Sequence, residues 1–402
     1  MMAATNTKRT AWIVTMVAVF AGISMAWAQN KLPPVIGSVM DAYAISMTTA
    51  GWLSSIFGVM GILMALPAAA LINKWGFKIC GVIALGTGIL GGIMGLLAPS
   101  ITILMISRLL EGIGVGLIAV ITPSVITMWF PPSKRGLPMG IWGSYQMVAQ
   151  AMAFLLAGGL LTLMGWRGMW WFGLFLLLTA LILYLWKIAA PPSACNHAEA
   201  EENTKVLTVL KSRSVWHIFF IAMLFCIGCF GWCTWAALYL HQELGLDLEW
   251  ANTIVGIIYM LEIGAVVLEG WLLDKVKSRK AFGIVIAFLY GALLLVSFRL
   301  PSAGWVLPFM LVYPFLEGGI CTTFWTITPQ TVKTPSLAGG ALAVLVVGMN
   351  IGIVLGPPIA GYFIEQFSWQ FATLPMAAVI LICAILIATI QLYDEQGNKI
   401  KG

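Results

Sequence analysis

Charge is what this sequence has least of. Asp, Glu, Lys and Arg make up 9% of its 402 residues, and 61% are hydrophobic. Soluble domains carry roughly 25% charged residues. A water-soluble fold could not hide this much apolar surface, so lipid is the expected solvent. Histidine is scarce as well. His197, His217 and His241 are too few and too scattered for a usual metal site, and none is assigned a role. No Gly-x-x-x-x-Gly-Lys-Ser/Thr phosphate loop occurs, so ATP is not the expected direct energy source. No His-Glu-x-x-His helix or Gly-x-Ser-x-Gly elbow occurs either, which argues against a membrane enzyme. The expectation is a protein that is not an enzyme and uses no metal, no cofactor and no nucleic acid. The net charge of +6 is read first as a report of orientation in a membrane.

Cysteine is present in seven copies, most of them inside apolar runs where a thiol packs as a small hydrophobe. Cys226, Cys229 and Cys233 share one helical face, and packing is favoured there over a metal or redox site.

What the chain does have is long apolar runs. A helix needs roughly 20 apolar residues to cross a bilayer. Twelve such spans are expected near 13–38, 47–71, 78–98, 102–127, 138–163, 168–188, 214–240, 250–272, 281–299, 304–327, 338–364 and 370–391. The first run is too long for the core of a signal peptide, so "AWAQ" at Ala26–Gln29 is not read as a cleavage site. One polar break near 189–213 divides the chain into six-helix bundles at 1–188 and 214–402. With both termini cytoplasmic, seventeen Lys and Arg residues fall on the inner side. Three, Lys31, Arg167 and Arg299, fall outside, and Arg108 is buried. That asymmetry sets the expected orientation in a cytoplasmic membrane.

The two halves repeat one another. The fourth span reads "LLEGIGVGLIAVITP" and the tenth "FLEGGICTTFWTITP"; Glu111 to Thr122 and Glu317 to Thr328 are each eleven apart. The second and eighth spans end alike, in "AALINKWGFK" and "GWLLDKVKSRK". Paired halves of this kind are how many secondary transporters are built, with the substrate site near the midplane.

These residues resemble the major facilitator superfamily over essentially the whole chain. Its loop pattern Gly-x-Leu-x-Asp-Arg-x-Gly-Arg-Lys is matched by Ala69, Leu71, Asn73, Lys74, Gly76, Phe77 and Lys78, with Asn73 in place of the acid. A second copy has Gly270, Leu272, Asp274 and Lys275, with Lys277 in place of glycine. The resemblance implies a gating latch on the cytoplasmic side, in which Gly270 allows close helix approach and Asp274 supplies the charge. The family's Arg-x-x-x-Gly-x-Gly pattern appears as Arg108, Gly112, Gly114 and Gly116, and "PPSKRG" after the fourth span is also family-like. Proton-driven drug exporters of the family carry Gly-Pro in the fifth span. Here that span has no proline, and "GIVLGPPIAG" lies in the eleventh. The implied fold is an all-α membrane protein of twelve transmembrane helices in two pseudo-symmetric six-helix bundles. It would work as a monomer on a small-molecule substrate, with protons as the other partner.

Arg108 and Glu111 are three apart and share a helix face. Isolated intramembrane charges cost roughly 2.5–3.5 kcal/mol each on the insertion scale, so both should face protein or water. They are read either as a proton-coupling site or as an ion pair joining helices. In the resembled fold the first, fourth, seventh and tenth helices line the cavity, so Glu317 would face Glu111 as a second coupling acid. Glu262 is a third acid, read either as coupling or as a packing hydrogen bond. In "WAQNKLPP", Trp27, Asn30 and Lys31 are candidate cavity residues, and Pro33 and Pro34 should free backbone carbonyls. Lys31 either snorkels to the surface or joins Arg108 in a positive site for a small anion such as a carboxylate. Tyr145, Gln146, Trp232, Trp235, Tyr239, Thr322 and Thr326 complete the candidate substrate contacts. The expected function is secondary transport of a small anion. A proton-driven multidrug or metabolite exporter is the runner-up, and a non-transporting membrane sensor is the alternative from another class.

Overall fold

The computed structural model describes residues 2–65, 67–131, 134–188, 209–334, 337–394 and 396–400. Most of the polar break, with Cys195, His197 and Lys205, lies outside the described residues, as do Pro132 and Ser133 of the family-like loop. Among the described residues twelve helices are long and apolar enough to cross a membrane: Arg9–Tyr43, Met47–Met64, Ala70–Leu96, Ile101–Trp129, Gly136–Met164, Gly168–Lys187, Arg213–Gln242, Leu248–Lys275, Arg279–Ser297, Ala303–Thr331, Ala338–Gln366 and Trp369–Thr389. They are the first to twelfth spans below, and each overlaps its expected run. A helix satisfies its backbone polar groups internally, which hydrocarbon demands. Among the described residues the one extended pairing is an isolated antiparallel bridge, Tyr393 to Lys399. The chain is a multi-pass membrane protein.

Polar caps mark several starts. Ser100, Asp247, Ser278 and Ser368 each accept a hydrogen bond from a first-turn N–H of the fourth, eighth, ninth and twelfth spans. Leu163, Phe175 and Val267 present large apolar side chains outward, as lipid-facing positions should.

By their contacts the residues form two compact units: Met1–Ala44 with Ile56–His197, and Ile45–Ser55 with Ala198–Gly402. In the first unit the fourth span packs on the third, on the first and on Phe57–Ala65. Gly112 and Gly116 permit that last approach; a Cβ on Gly116 would come within 2.8 Å of the Cβ of Met64. In the second unit the seventh span packs on the eleventh and twelfth, and the eighth on the tenth. Segment Met47–Ser55 joins this unit because Ser55 Oγ donates to Val354 O at 2.8 Å and the hydroxyl of Thr48 to Glu365 at 2.8 Å.

The first span is broken where the two prolines stand. Its α-helix runs Met2–Asn30, a 3-10 turn follows at Pro33–Val35, and helix resumes at Ile36–Tyr43. Pro33 has no N–H to offer the carbonyl four residues earlier, that of Gln29. The expected freeing of carbonyls is therefore present, and those carbonyls are put to use.

Candidate functional site

In the first unit, Arg108 reaches from the fourth span into the break of the first. Its guanidinium donates to Gln29 O at 2.7 Å and to Ala28 O. It also donates to Glu111 Oε2 at 2.6 Å. The other carboxylate oxygen of Glu111 accepts from Lys31 Nζ. Lys31, Arg108 and Glu111 are 1%, 0% and 0% exposed, so Lys31 does not snorkel. The reason is local. The proline break turns Lys31 inward, and Glu111 supplies the counter-charge that makes burial bearable. Two cations and one anion leave the cluster with one net positive charge. The ring of Trp170 lies 4.5 Å from Lys31 Nζ and the ring of Phe57 5.2 Å from Arg108 Cζ, both at cation–π range. Gly91 brings the third span close; a Cβ there would lie 2.8 Å from Glu111 Cγ. Arg108 Nε is buried with no hydrogen-bond partner among the described residues.

A polar chain extends from the cluster. Asn30 Nδ2 donates to Gln146 Oε1 at 3.3 Å, and Gln146 Nε2 donates to Gln29 Oε1 at 3.1 Å and to the hydroxyl of Tyr145 at 3.1 Å. Tyr145 and Gln146 are half-buried, and Tyr145 stacks on Trp142 with centroids 3.9 Å apart. Trp27 corrects an expectation. It is fully buried, packs 4.7 Å from Phe172 and donates from Nε1 to Met169 O at 3.1 Å. That indole joins the first and sixth spans rather than lining open space.

The second unit buries acids without cations. Glu317 of the tenth span and Glu262 of the eighth are buried beside one another. Glu317 Oε1 also accepts from Cys229 Sγ at 3.1 Å. Two turns along the eighth span, Glu269 is fully buried and accepts from Thr322 Oγ1 at 3.4 Å. Glu262 Oε2, Glu269 Oε1 and Glu317 Oε2 receive no hydrogen bond from any described donor. Among the described residues no ion pair reaches these three acids, and no group of His, Cys, Asp and Glu is placed to hold a metal ion. Trp232 lies 4.0 Å from Tyr313 and 5.4 Å from Phe309, forming an aromatic wall whose indole N–H is unpartnered. Trp235 and Tyr239 are structural instead. Trp235 Nε1 donates to Pro357 O at 3.0 Å, and the Tyr239 hydroxyl accepts from Leu300 N at 3.0 Å. Thr326 donates to its own helix at Thr322 O, 2.7 Å away. His217 and His241 each bond a nearby carbonyl, those of Arg213 and Leu246.

The two loop motifs differ in build. Asn73, Lys74, Gly76 and Lys78 all fall within Pro67–Leu96, a helix interrupted at Gly76 with φ +76° and ψ 158°. Only glycine adopts that conformation readily, so Gly76 is the turn of the motif. In the other copy nothing lies within 4 Å of the place a Cβ on Gly270 would occupy, so the expected close approach is not made there. Asp274 meets Arg279 at 3.5 Å on the surface, and Lys275 Nζ lies 3.6 Å over the ring of Trp271.

Gln29, Trp170 and Glu269 are absent from the sequence-based expectations. For Glu269 a signal existed. Leu268-Glu269-Gly270 is a third copy of the Leu-Glu-Gly tripeptide found at Leu110–Gly112 and Leu316–Gly318.

The chain is similar to known transporters over most of its length. The hexuronate transporter of Bacillus subtilis (strain 168) is 22% identical over 394 residues, covering 91% of this chain and 92% of that protein. The probable sulfoacetate transporter SauU of Cupriavidus necator is 23% identical over 414 residues, covering 94% and 90%. Two uncharacterised relatives align over 39% of this chain, which spans 30% and 27% of their own lengths. The crystal structure of a D-xylose-proton symporter superposes with a TM-score of 0.78 at 17% identity, covering 97% of this chain and 99% of that one. The family model of the Major Facilitator Superfamily matches residues 14–339, and the chain belongs to that superfamily.

Proposed function

We propose that the protein is a secondary transporter of the cytoplasmic membrane that moves a small organic anion, a carboxylate or sulfonate, by alternating access. The observation that carries this reading is the buried Lys31–Arg108–Glu111 cluster with its single uncompensated positive charge. A substrate anion entering there supplies the missing charge and competes with Glu111 for the two cations. Arg108 offers a planar fork suited to a carboxylate or sulfonate, and Lys31 a point charge. Gln146, Asn30 and Tyr145 offer hydrogen bonds beside it. The relatives named for hexuronate and sulfoacetate are consistent with an anionic substrate. The Glu262–Glu317 pair, with Glu269 nearby, is the proton store in this reading. Glu111, in contact with both Lys31 and Arg108, serves as their counter-ion.

One feature favours a second reading. Three acids without a cation, beside the Trp232–Tyr313 wall, would also suit a lipophilic cation, as in a proton-driven exporter. Counterflow in proteoliposomes separates the two. Labelled glucuronate, sulfoacetate and small carboxylates are expected to enter, and an amphiphilic cationic dye to stay out. Movement of the dye without the anions would give the site to the exporter reading. An anion that raises the melting temperature but never enters would make the protein a sensor.

The proposed orientation puts both termini and the 189–213 segment in the cytoplasm. Cys195 lies in that segment, and five of the six described cysteines are buried. A membrane-impermeant maleimide is expected to label Cys195 in inside-out vesicles and not in intact spheroplasts. Labelling from outside would invert the topology.

A further inference from the structure

A cavity of about 220 Å³ opens in the second unit where the eighth span turns into the ninth. One side carries Lys277, Arg279 and Lys280, and the other Ile390, Leu392 and Ile400. No carboxylate is among its described lining residues. Asp274 meets Arg279 at 3.5 Å but is 77% exposed, so it neutralises that guanidinium weakly.

The apolar side is built from the chain after the last span, whose described residues fold back toward Gln330. Tyr393 N donates to Gln330 O at 2.7 Å and Ile400 N to Leu392 O at 2.9 Å. The carboxylate of Asp394 accepts from the backbone N–H groups of Asn398 at 2.8 Å and Gln396 at 2.9 Å, closing the turn. Lys280 Nζ ties the basic side to this segment through Ile390 O at 3.2 Å. Ile400 remains 42% exposed at the cavity.

We propose that this cleft binds the phosphate of an anionic amphiphile, a phospholipid headgroup whose chains lie along Ile390, Leu392 and Ile400. Three cationic side chains along one wall, with no acid among the described lining residues, fit a phosphate. The apolar wall selects the lipid over free phosphate, which would leave that wall bare. Bound lipid would bridge the turn between the eighth and ninth spans and the folded-back C-terminal segment.

The test is native mass spectrometry of the full-length protein with dioctanoyl-phosphatidylglycerol, dioctanoyl-phosphatidylcholine or inorganic phosphate. The cleft variant is Lys277→Gln with Arg279→Gln and Lys280→Gln. A control of equal charge carries Lys134→Gln, Lys187→Gln and Lys211→Gln. Phosphatidylglycerol is expected to bind wild type and control alike, and the cleft variant more weakly by at least about tenfold. Ile400→Ser is expected to weaken the lipid and not inorganic phosphate. Lys277→Gln alone, on an exposed side chain, gives a folded protein in which part of the loss should still be read. Equal weakening in control and cleft variants would overturn the proposal, as would retention of phosphatidylcholine as tight as phosphatidylglycerol. Inorganic phosphate binding as tightly as the lipid would overturn the lipid assignment and leave a soluble phosphate as the ligand.

Discussion

Replacing Glu111 with glutamine is expected to destabilise the protein more than any other single change in the first unit. The substitution keeps the size of the side chain and removes its charge. Lys31 and Arg108 would then be two buried cations with no anion in contact, taking the cluster from one net positive charge to two. Removing one partner of a buried ion pair costs roughly 3–5 kcal/mol. Thermal unfolding of the detergent-purified protein should show a clear drop. Adding Lys31→Met to Glu111→Gln restores one net positive charge and should recover part of the loss, because Arg108 keeps the carbonyls of Ala28 and Gln29. A glutamine variant as stable as wild type would mean that the carboxylate is not the counter-ion of this cluster.

Glu317→Gln should have the largest effect on function and a small one on folding. A glutamine can donate a hydrogen bond to Glu262 but cannot take up or release a proton. Accumulation of substrate driven by a proton gradient is expected to vanish, while exchange of internal for external substrate continues. The same pair of assays on Glu262→Gln and Glu269→Gln ranks the three acids. A Glu317→Gln protein that still concentrates substrate against its gradient would remove the carboxyl cluster from the coupling step. If that phenotype appeared instead in the stabilised Lys31→Met, Glu111→Gln protein, coupling would belong to Glu111.

The spans were legible from hydropathy because an apolar run of this length can satisfy its own backbone in lipid only as a helix, a barrel strand being about half as long. The Arg108–Glu111 pair was legible too, because a spacing of three fixes a shared helix face whatever lies opposite. Lys31 was not. A lysine near the end of an apolar run satisfies snorkelling and inward burial equally well on paper, and the proline break decides between them. Trp27 and Trp235 looked like ligand walls because indoles deep in a span are compatible with either role. Their N–H groups turn out to bond Met169 O and Pro357 O, acceptors 142 and 122 residues away that no local pattern announces. Glu269 stands five residues before Asp274, so it reads as the edge of a charged loop until its burial is seen.

The broken first helix has a mechanical consequence. Gln29 O loses its helical donor to Pro33 and gains Arg108 instead, and the same guanidinium holds Glu111. A change in the bend of the first span therefore pulls on the guanidinium, and the guanidinium pulls on the carboxylate. Conversely, an anion that draws Arg108 toward itself slackens its hold on Ala28 O and Gln29 O and lets the kink change angle. Backbone shape and ligand charge are two ends of one lever whose pivot is Arg108.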